Sequence, residues 1–296
     1  MVKKADTHAA PWKRMAQRWQ KYYRPPGRPS KTAVRLYRKY SRLVFRQVKG
    51  RRPRALILGS TPELRDLMFE LGAEVTTVDL NREMIGGLRV LMRHKGKAKE
   101  KHIIGNWSSV KLPKNYFDAI VGDIVLANVE YRNQDRFLGN MLGALAPNGR
   151  FIQKMQLVPE EWEFESAEGT LQKFSRLRPY RNEAFEMILM LLQNTFERKQ
   201  RLVSFKKVRK RLAPHFHGGK WSHPDRKVRK MLHDMWEFWK PMSKEWSIGY
   251  EGEVEKRVGK FFIIEKKIVL KDCHFRLNDE SYPLWVCKPK MAKRAV

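Results

Sequence analysis

Cysteine is almost missing from this chain of 296 residues: Cys273 and Cys287 stand alone, without CxxC spacing. That pattern argues against a disulfide framework or a cysteine-based zinc motif. It fits a reducing setting, a cytoplasm or, as the alternative suggested by the Arg-rich start, an organellar matrix. Long apolar runs are missing too. Nothing approaches the run of about eighteen apolar residues that a membrane helix needs, so no span is expected. Lys3 and Lys4 are not followed by an apolar stretch, so the start does not read as a secretory signal. Acids are scarce in one region above all: residues 1–54 hold 18 Lys and Arg against the single Asp6.

What is present is positive charge, unevenly spread. The net charge is +31, of which residues 1–54 carry +17, residues 55–157 only +3 and residues 158–296 +11. A polyanion such as RNA would be held by the basic residues of 1–54 and of 206–211 through counterion release. A generally basic composition with no such partner fits the numbers equally well. Trp12, Trp19, Tyr22 and Tyr23 interleave with the bases of the first segment. That is the composition of a nucleic-acid arm, and also of an arm that docks on the main domain through its rings.

Hydrophobic patterning predicts two N-terminal helices, over 10–23 and 30–48, separated by the breaker Arg24-Pro-Pro-Gly-Arg-Pro29. Ser30 is an N-cap candidate, with Val34, Tyr37, Leu43, Val44 and Val48 near one face and Arg35, Arg38, Lys39, Arg42 and Arg46 mostly elsewhere. Arg54-Ala-Leu-Ile-Leu58 is a short apolar run without helical period, as a buried parallel strand should be. Gly59 permits a tight turn, Thr61 is placed to cap a helix and Pro62 suits its first position. That helix closes at Gly72, and Glu74–Val78 leads as a second strand into Asp79. A helix over 81–94, strands over 102–105 and 116–123, a helix over 135–145, the turn Ala146-Pro-Asn-Gly149 and a strand over 150–156 follow. This alternation predicts a doubly wound α/β sheet whose ligand site lies at the strand carboxyl ends, where Gly59, Asp79, Asn106 and Asp123 fall.

Helices over 183–198 and 224–240, with a basic continuation over 203–212, predict a helical insertion or substrate lid at 158–250. Strands over 260–271 and 282–288 would pair as a hairpin at the sheet edge. The expected division is therefore a basic helical arm (1–52), a ligand-binding core (53–157), the insertion (158–250) and the final strands (251–296). His215, His217 and His223 have only Asp225 close by, so a polar loop is the expected reading and no metal site is assigned.

The ordered signals Leu-Gly-Ser-Thr-Pro-Glu-Leu, Val-Asp-Leu-Asn, Gly-Asn-Trp and Val-Gly-Asp-Ile, with Leu-Ala-Pro-Asn-Gly-Arg before the fifth strand, resemble class I S-adenosylmethionine-dependent methyltransferases over roughly residues 50–157. More narrowly, they resemble a bacterial branch with a Gly-x-Thr-Pro-Glu-Leu loop. The resemblance implies a Rossmann-like fold and S-adenosyl-L-methionine as cofactor. It places cofactor contacts on Gly59, Ser60, Thr61, Glu63, Asp79, Leu80, Met84, Asn106, Trp107 and Asp123, with Asp79 on the ribose. The loop departs from the family's Gly-x-Gly-x-Gly form, keeping only Gly59. A non-catalytic RNA-binding or assembly factor that retains the fold is the alternative.

Trp107 reads equally as a core, lid or adenine-stacking ring, and Asp79 also as a cap for the helix after it. A sulfonium methyl is already electrophilic, so alignment of the acceptor and exclusion of water would carry most of the catalysis. Asp123, Glu130 and Tyr131 are the candidates for general-base help. No Asp/Asn-Pro-Pro-Tyr/Phe sequence follows the fourth strand, and no cysteine lies near it. Methylation of nucleobase amines and cysteine-dependent C5 methylation therefore gain no support. The acceptor, a small molecule or RNA, stays open.

Overall fold

A computed structural model describes residue 19 and residues 23–94, 99–239, 243–271, 276 and 280–290. Most of the helix expected over 10–23, with Trp12 and Tyr22, and Cys273 lie outside the described residues. Helix α1 (Lys31–Phe45) precedes the sheet. Then come β1 (Arg54–Leu58), α2 (Pro62–Glu70), β2 (Glu74–Asp79), α3 (Arg82–Arg89), β3 (Glu100–Ile104), β4 (Phe117–Asp123), α4 (Gln134–Ala144) and β5 (Leu145–Lys154). The next stretch holds α5 (Ala167–Arg176), α6 (Glu183–Gln193), β6 (Leu202–Ser204), α7 (Phe205–Leu212), β7 (Phe216–His217), β8 (Lys220–Trp221), α8 (Arg226–Trp239) and β9 (Glu245–Ser247). Helix α9 (Glu251–Val258) and strands β10 (Phe262–Ile268) and β11 (Leu284–Pro289) finish the fold.

Seven strands form one sheet in the order β10-β11-β5-β4-β1-β2-β3. The five from β5 to β3 are parallel, and β11 runs antiparallel to both β5 and β10. The fold is Rossmann-like and doubly wound. Burial on both faces explains why β1 is apolar throughout: Ala55 and Ile57 join the core under α1 and α2, while Leu56 and Leu58 join the core under α4 and α9. Because β1 is flanked by β2 and β4, the chain reverses direction across the sheet at β1. The crevice this opens at the strand carboxyl ends is where such sheets hold ligands.

Several expected boundaries move for local reasons. Ser30 caps α1 as expected, its Oγ accepting from Ala33 N at 3.0 Å. Leu43, however, is 48% exposed, and Ala33, Ser41 and Phe45 share the buried face with Tyr37 and Val44. Thr61 stands at the N-cap of α2 without a capping bond from its hydroxyl. The helix expected over 81–94 ends at Arg89. The Ala146-Pro-Asn-Gly149 turn is absorbed into β5 as an irregularity, the pairing of β4 jumping from Leu145 to Arg150. Helix α5, strand β9 and helix α9 were not anticipated, and the basic continuation after α6 is split into β6 and α7.

Between Val158 and Tyr250 the chain leaves the sheet and returns to the same point. Val158 N donates to Gly249 O at 2.9 Å, and Glu251 N donates to Val158 O at 3.3 Å. This closure brings helices α6 and α7 and strand β9 over the strand carboxyl ends. The two outer strands pair as the expected hairpin, with β11 seated inside β10 against β5.

Candidate active site

Gly59 ends β1 with φ +86°, a left-handed conformation that glycine adopts without strain, and its N–H donates to Val78 O at 2.9 Å. This turn delivers Ser60, whose Oγ donates to Asp79 Oδ2 at 2.7 Å. Asn81 N donates to the other oxygen, Asp79 Oδ1, at 2.9 Å. Helix α3 is capped by Asn81, which accepts from Glu83 N at 2.8 Å and Met84 N at 3.2 Å; Asp79 is thereby released from the capping role. Burial raises the pKa of the Asp79 carboxyl, opposed by the bonds from Asn81 and Ser60 and by the cation Lys244. An ionised carboxylate offers about four acceptor positions, so two remain after these bonds.

The loop after β3 adds a second wall. Asn106 is exposed, its Oδ1 accepting from Ser108 N at 2.9 Å. Trp107 Nε1 donates to Val78 O at 2.8 Å, fixing the half-buried indole across the tips of β1 and β2. At the tip of β4, Asp123 Oδ1 lies 2.7 Å from Lys154 Nζ, with both side chains buried. Burial pushes the Asp123 carboxyl up to about 6 despite that partner. Lys154 Nζ also donates to the Pro26 carbonyl and, at 3.2 Å, to the Arg28 carbonyl, so one amine clamps the N-terminal segment to the sheet. The backbone then enters a left-handed residue, Ile124, with φ +57°. A β-branched side chain rarely adopts that conformation, and here Ile124 lies on the cavity wall.

One cavity spans these tips. Gly59, Ser60, Thr61, Asp79, Leu80 and Met84 line it, as do Asn106, Trp107, Asp123 and Glu130. Two expected residues are not among its lining. Glu63 pairs with Arg28, and Tyr131 lies under the guanidinium of Arg257, 3.8 Å from the ring centroid. Glu130 lines the rim and accepts from Arg132 Nε at 2.8 Å and Asn133 Nδ2 at 3.2 Å.

The opposite wall comes from outside the core. Phe185, Leu189 and Leu192 of α6, Phe205 of α7 and Trp246 of β9 face the cavity, with Trp19 and Tyr23 from the arm. Trp19 and Tyr23 pack ring to ring at 4.3 Å, and Trp19 is 5% exposed. These two arm aromatics therefore dock on the domain. Burial, with the Asp123 charge, raises the Tyr23 phenol above its ordinary range. Lys244 also enters the cavity, 7% exposed, its Nζ donating to Asn128 Oδ1. No local pattern marks Lys244 in the sequence; the aromatics were visible as a group, without their direction.

The basic flanks are partly consumed by internal pairing. Arg28, Arg38 and Arg51 pair with Glu63, Glu70 and Asp118, while Arg35, Lys39 and Arg42 on α1 and Arg46 at its C-cap keep exposed positions. His215 and His223 face Glu168 at 3.2 and 3.7 Å. Among the described residues no group of three or more His, Cys, Asp or Glu is arranged to hold a metal, and no helix is long and apolar enough to cross a membrane.

The methyltransferase-domain family model matches residues 58–153, which run from the end of β1 nearly to the end of β5. No protein of curated function matches the chain. Solved structures share the fold at low identity. One, from Rhodobacter sphaeroides, carries the name of a Zn-dependent alcohol dehydrogenase; it is 15% identical with a TM-score of 0.60, covering 97% of this chain and 100% of that one. The CcbJ methyltransferase of Streptomyces caelestis is 12% identical with a TM-score of 0.55, again covering 97% and 100%. The PH0226 protein of Pyrococcus horikoshii OT3 is 14% identical with a TM-score of 0.50, covering 88% and 92%. Strand order, the loop–acid pair at β1 and β2 and the family match agree: residues 58–153 carry a Rossmann-like fold that matches the methyltransferase-domain family.

Proposed function

We propose that the protein transfers a methyl group from S-adenosylmethionine to a small acceptor held between the strand tips and the wall formed by α6, α7 and β9. The observation that carries this reading is the composition of the cavity across those tips. One side offers the Gly59–Ser60 loop and the Asp79 carboxylate, and the other is apolar and aromatic. The residues fit the cofactor: Asp79 keeps acceptor capacity for ribose hydroxyls, and the left-handed Gly59 carries no side chain into the space beneath Trp107. Leu80, Met84, Asn106 and Trp107 would hold the adenosyl end, and Ser60, Thr61 and Asp123 the amino-acid end.

When bound, the cofactor supplies an electrophilic methyl on a sulfonium. The protein's own part is orientation and the removal of water, which together contribute more to such a transfer than proton abstraction does. Phe185, Leu189, Leu192, Phe205 and Trp246 make a dry wall against which an apolar or flat acceptor is held. Glu130 on the rim is the carboxylate best placed to accept a proton from it.

Among the described residues lining the cavity, Lys244 is the one Lys or Arg. That favours a small acceptor over a polyanion, whose phosphates need several bases beside the reacting centre. Fractionation of a cell extract after incubation with the protein and methyl-labelled S-adenosylmethionine tests the reading. Label in the low-molecular-weight filtrate is expected. Label confined to the RNA fraction would overturn the small-acceptor assignment, and the exposed bases of α1 would become its explanation.

A further inference from the structure

Lys244 is an ionisable cavity residue from outside the matched residues 58–153. It precedes β9, which pairs with β6, and its own carbonyl accepts from Phe205 N at 3.4 Å, so the backbone that presents it is anchored at the start of α7. Its side chain crosses the cavity to Asn128, in the turn that follows β4, with Nζ 5.4 Å from the centroid of Trp246. It also lies within electrostatic reach of Asp79 at the tip of β2. The amine therefore lies between Asn128, after β4, and the Asp79 carboxylate at the tip of β2. The other ionisable groups lining the cavity are Asp123, Glu130, Tyr23 and Tyr282.

Resting on the functional reading above, we propose that Lys244 is a specificity-determining residue that separates S-adenosylmethionine from S-adenosylhomocysteine by charge. The two ligands share every polar group except the sulfur, positive in one and neutral in the other. A cationic amine in the cavity opposes the sulfonium and tolerates the thioether; a neutral amine accepts both. Burial lowers the Lys244 pKa well below its ordinary value, partly offset by Asp79, so the amine moves between the two forms at pH values far below those of a solvated lysine. Lowering the pH protonates Lys244, so affinity for the sulfonium ligand falls relative to the thioether. The device favours cofactor loading while the lysine is neutral and retention of by-product when it is charged.

The test is titration calorimetry of the full chain with each ligand in a pH series spanning the range over which the chain stays folded. In wild type the ratio Kd(S-adenosylmethionine)/Kd(S-adenosylhomocysteine) should rise by about tenfold or more toward low pH, as expected for like charges sharing a partly desolvated cavity. Lys244→Met should flatten the ratio, and Lys244→Arg, always charged, should hold it at the low-pH value throughout. Asp123, pushed up to about 6, also titrates at the acid end of the series and acts in the same direction, so the difference between wild type and the two Lys244 variants, each checked for folding by a thermal melt, assigns the effect. A ratio independent of pH in wild type, or equally pH-dependent in Lys244→Met, overturns the proposal while leaving cofactor binding intact. No heat from either ligand with wild type overturns the functional reading and the proposal with it.

Discussion

The Tyr37 hydroxyl donates to the Gly122 carbonyl at 2.5 Å and accepts from Lys154 N at 2.9 Å, joining α1 to the carboxyl ends of both β4 and β5. Tyr37 is fully buried, so water cannot replace either bond. The arm is thus part of the site's foundation as well as a carrier of charge.

Tyr37→Phe should leave the Gly122 carbonyl and the Lys154 N–H without this partner. The expected loss is about 1–3 kcal/mol of unfolding free energy, the cost of leaving buried polar groups unsatisfied. Urea denaturation measures it. A change below about 0.5 kcal/mol would show that the arm does not brace the two strands.

Asp123 gives a pH signature with a definite sign. Its folded pKa of about 6 lies above the ordinary 3.8, so the folded state binds the proton more tightly. Its contribution to stability is fully present below the ordinary value and is lost as pH rises through about 6. Asp123→Asn should remove that slope, seen in unfolding free energies measured on either side of the window. Lys154→Met, which strands the buried carboxylate, should destabilise by about 3–5 kcal/mol near neutral pH. An unchanged slope in Asp123→Asn would contradict the assignment.

Ser60→Ala removes the hydroxyl that orients Asp79. The expected effect is a cofactor affinity reduced by about fivefold, in keeping with one hydrogen bond of about 1 kcal/mol, with little change in stability. Calorimetry with S-adenosylmethionine, paired with a thermal melt, separates the two effects. Full affinity in Ser60→Ala would mean that Asp79 is held by Asn81 alone.

Gly122→Ala probes how tightly the β4 tip is packed. A Cβ there would lie 2.5 Å from Val125 Cγ2 and 2.7 Å from Gln153 Oε1. Overpacking of this kind costs about 1–3 kcal/mol and should move the Asp123–Ile124 turn that lines the cavity. A fully stable variant with unchanged cofactor affinity would show that this turn yields freely.

Much of the core was legible because its signals are local. A strand buried on both faces is a short apolar run, a left-handed turn takes glycine, and the acid stands one residue after the run in β2. The strand tips therefore named Gly59, Asp79, Asn106 and Asp123 from sequence alone, and the cavity gathers all four. Where two local signals competed, the structure chose: Asn81, not Asp79, caps α3, and Thr61 leaves its helix end uncapped.

The opposite wall was illegible for a physical reason. Lys244 meets Asn128 across 116 residues, and Tyr37 meets Gly122 across 85, separations at which no pattern of spacing operates. Helix α6 was recognised as apolar. Because it is buried on nearly all sides, its sequence does not say that Phe185, Leu189 and Leu192 are the residues facing the site. Glu63 and Tyr131 illustrate the reverse case. Each lies within a motif-bearing stretch, yet an arginine from a distant segment engages it.

The most direct test of the account is titration of wild type and Asp79→Ala with S-adenosylmethionine. Wild type should give a measurable binding isotherm and the variant an affinity lowered by about tenfold or more, since charge-assisted bonds to a buried carboxylate are worth about 1.5–3 kcal/mol. No binding by wild type, or equal affinity in the two proteins, would contradict it.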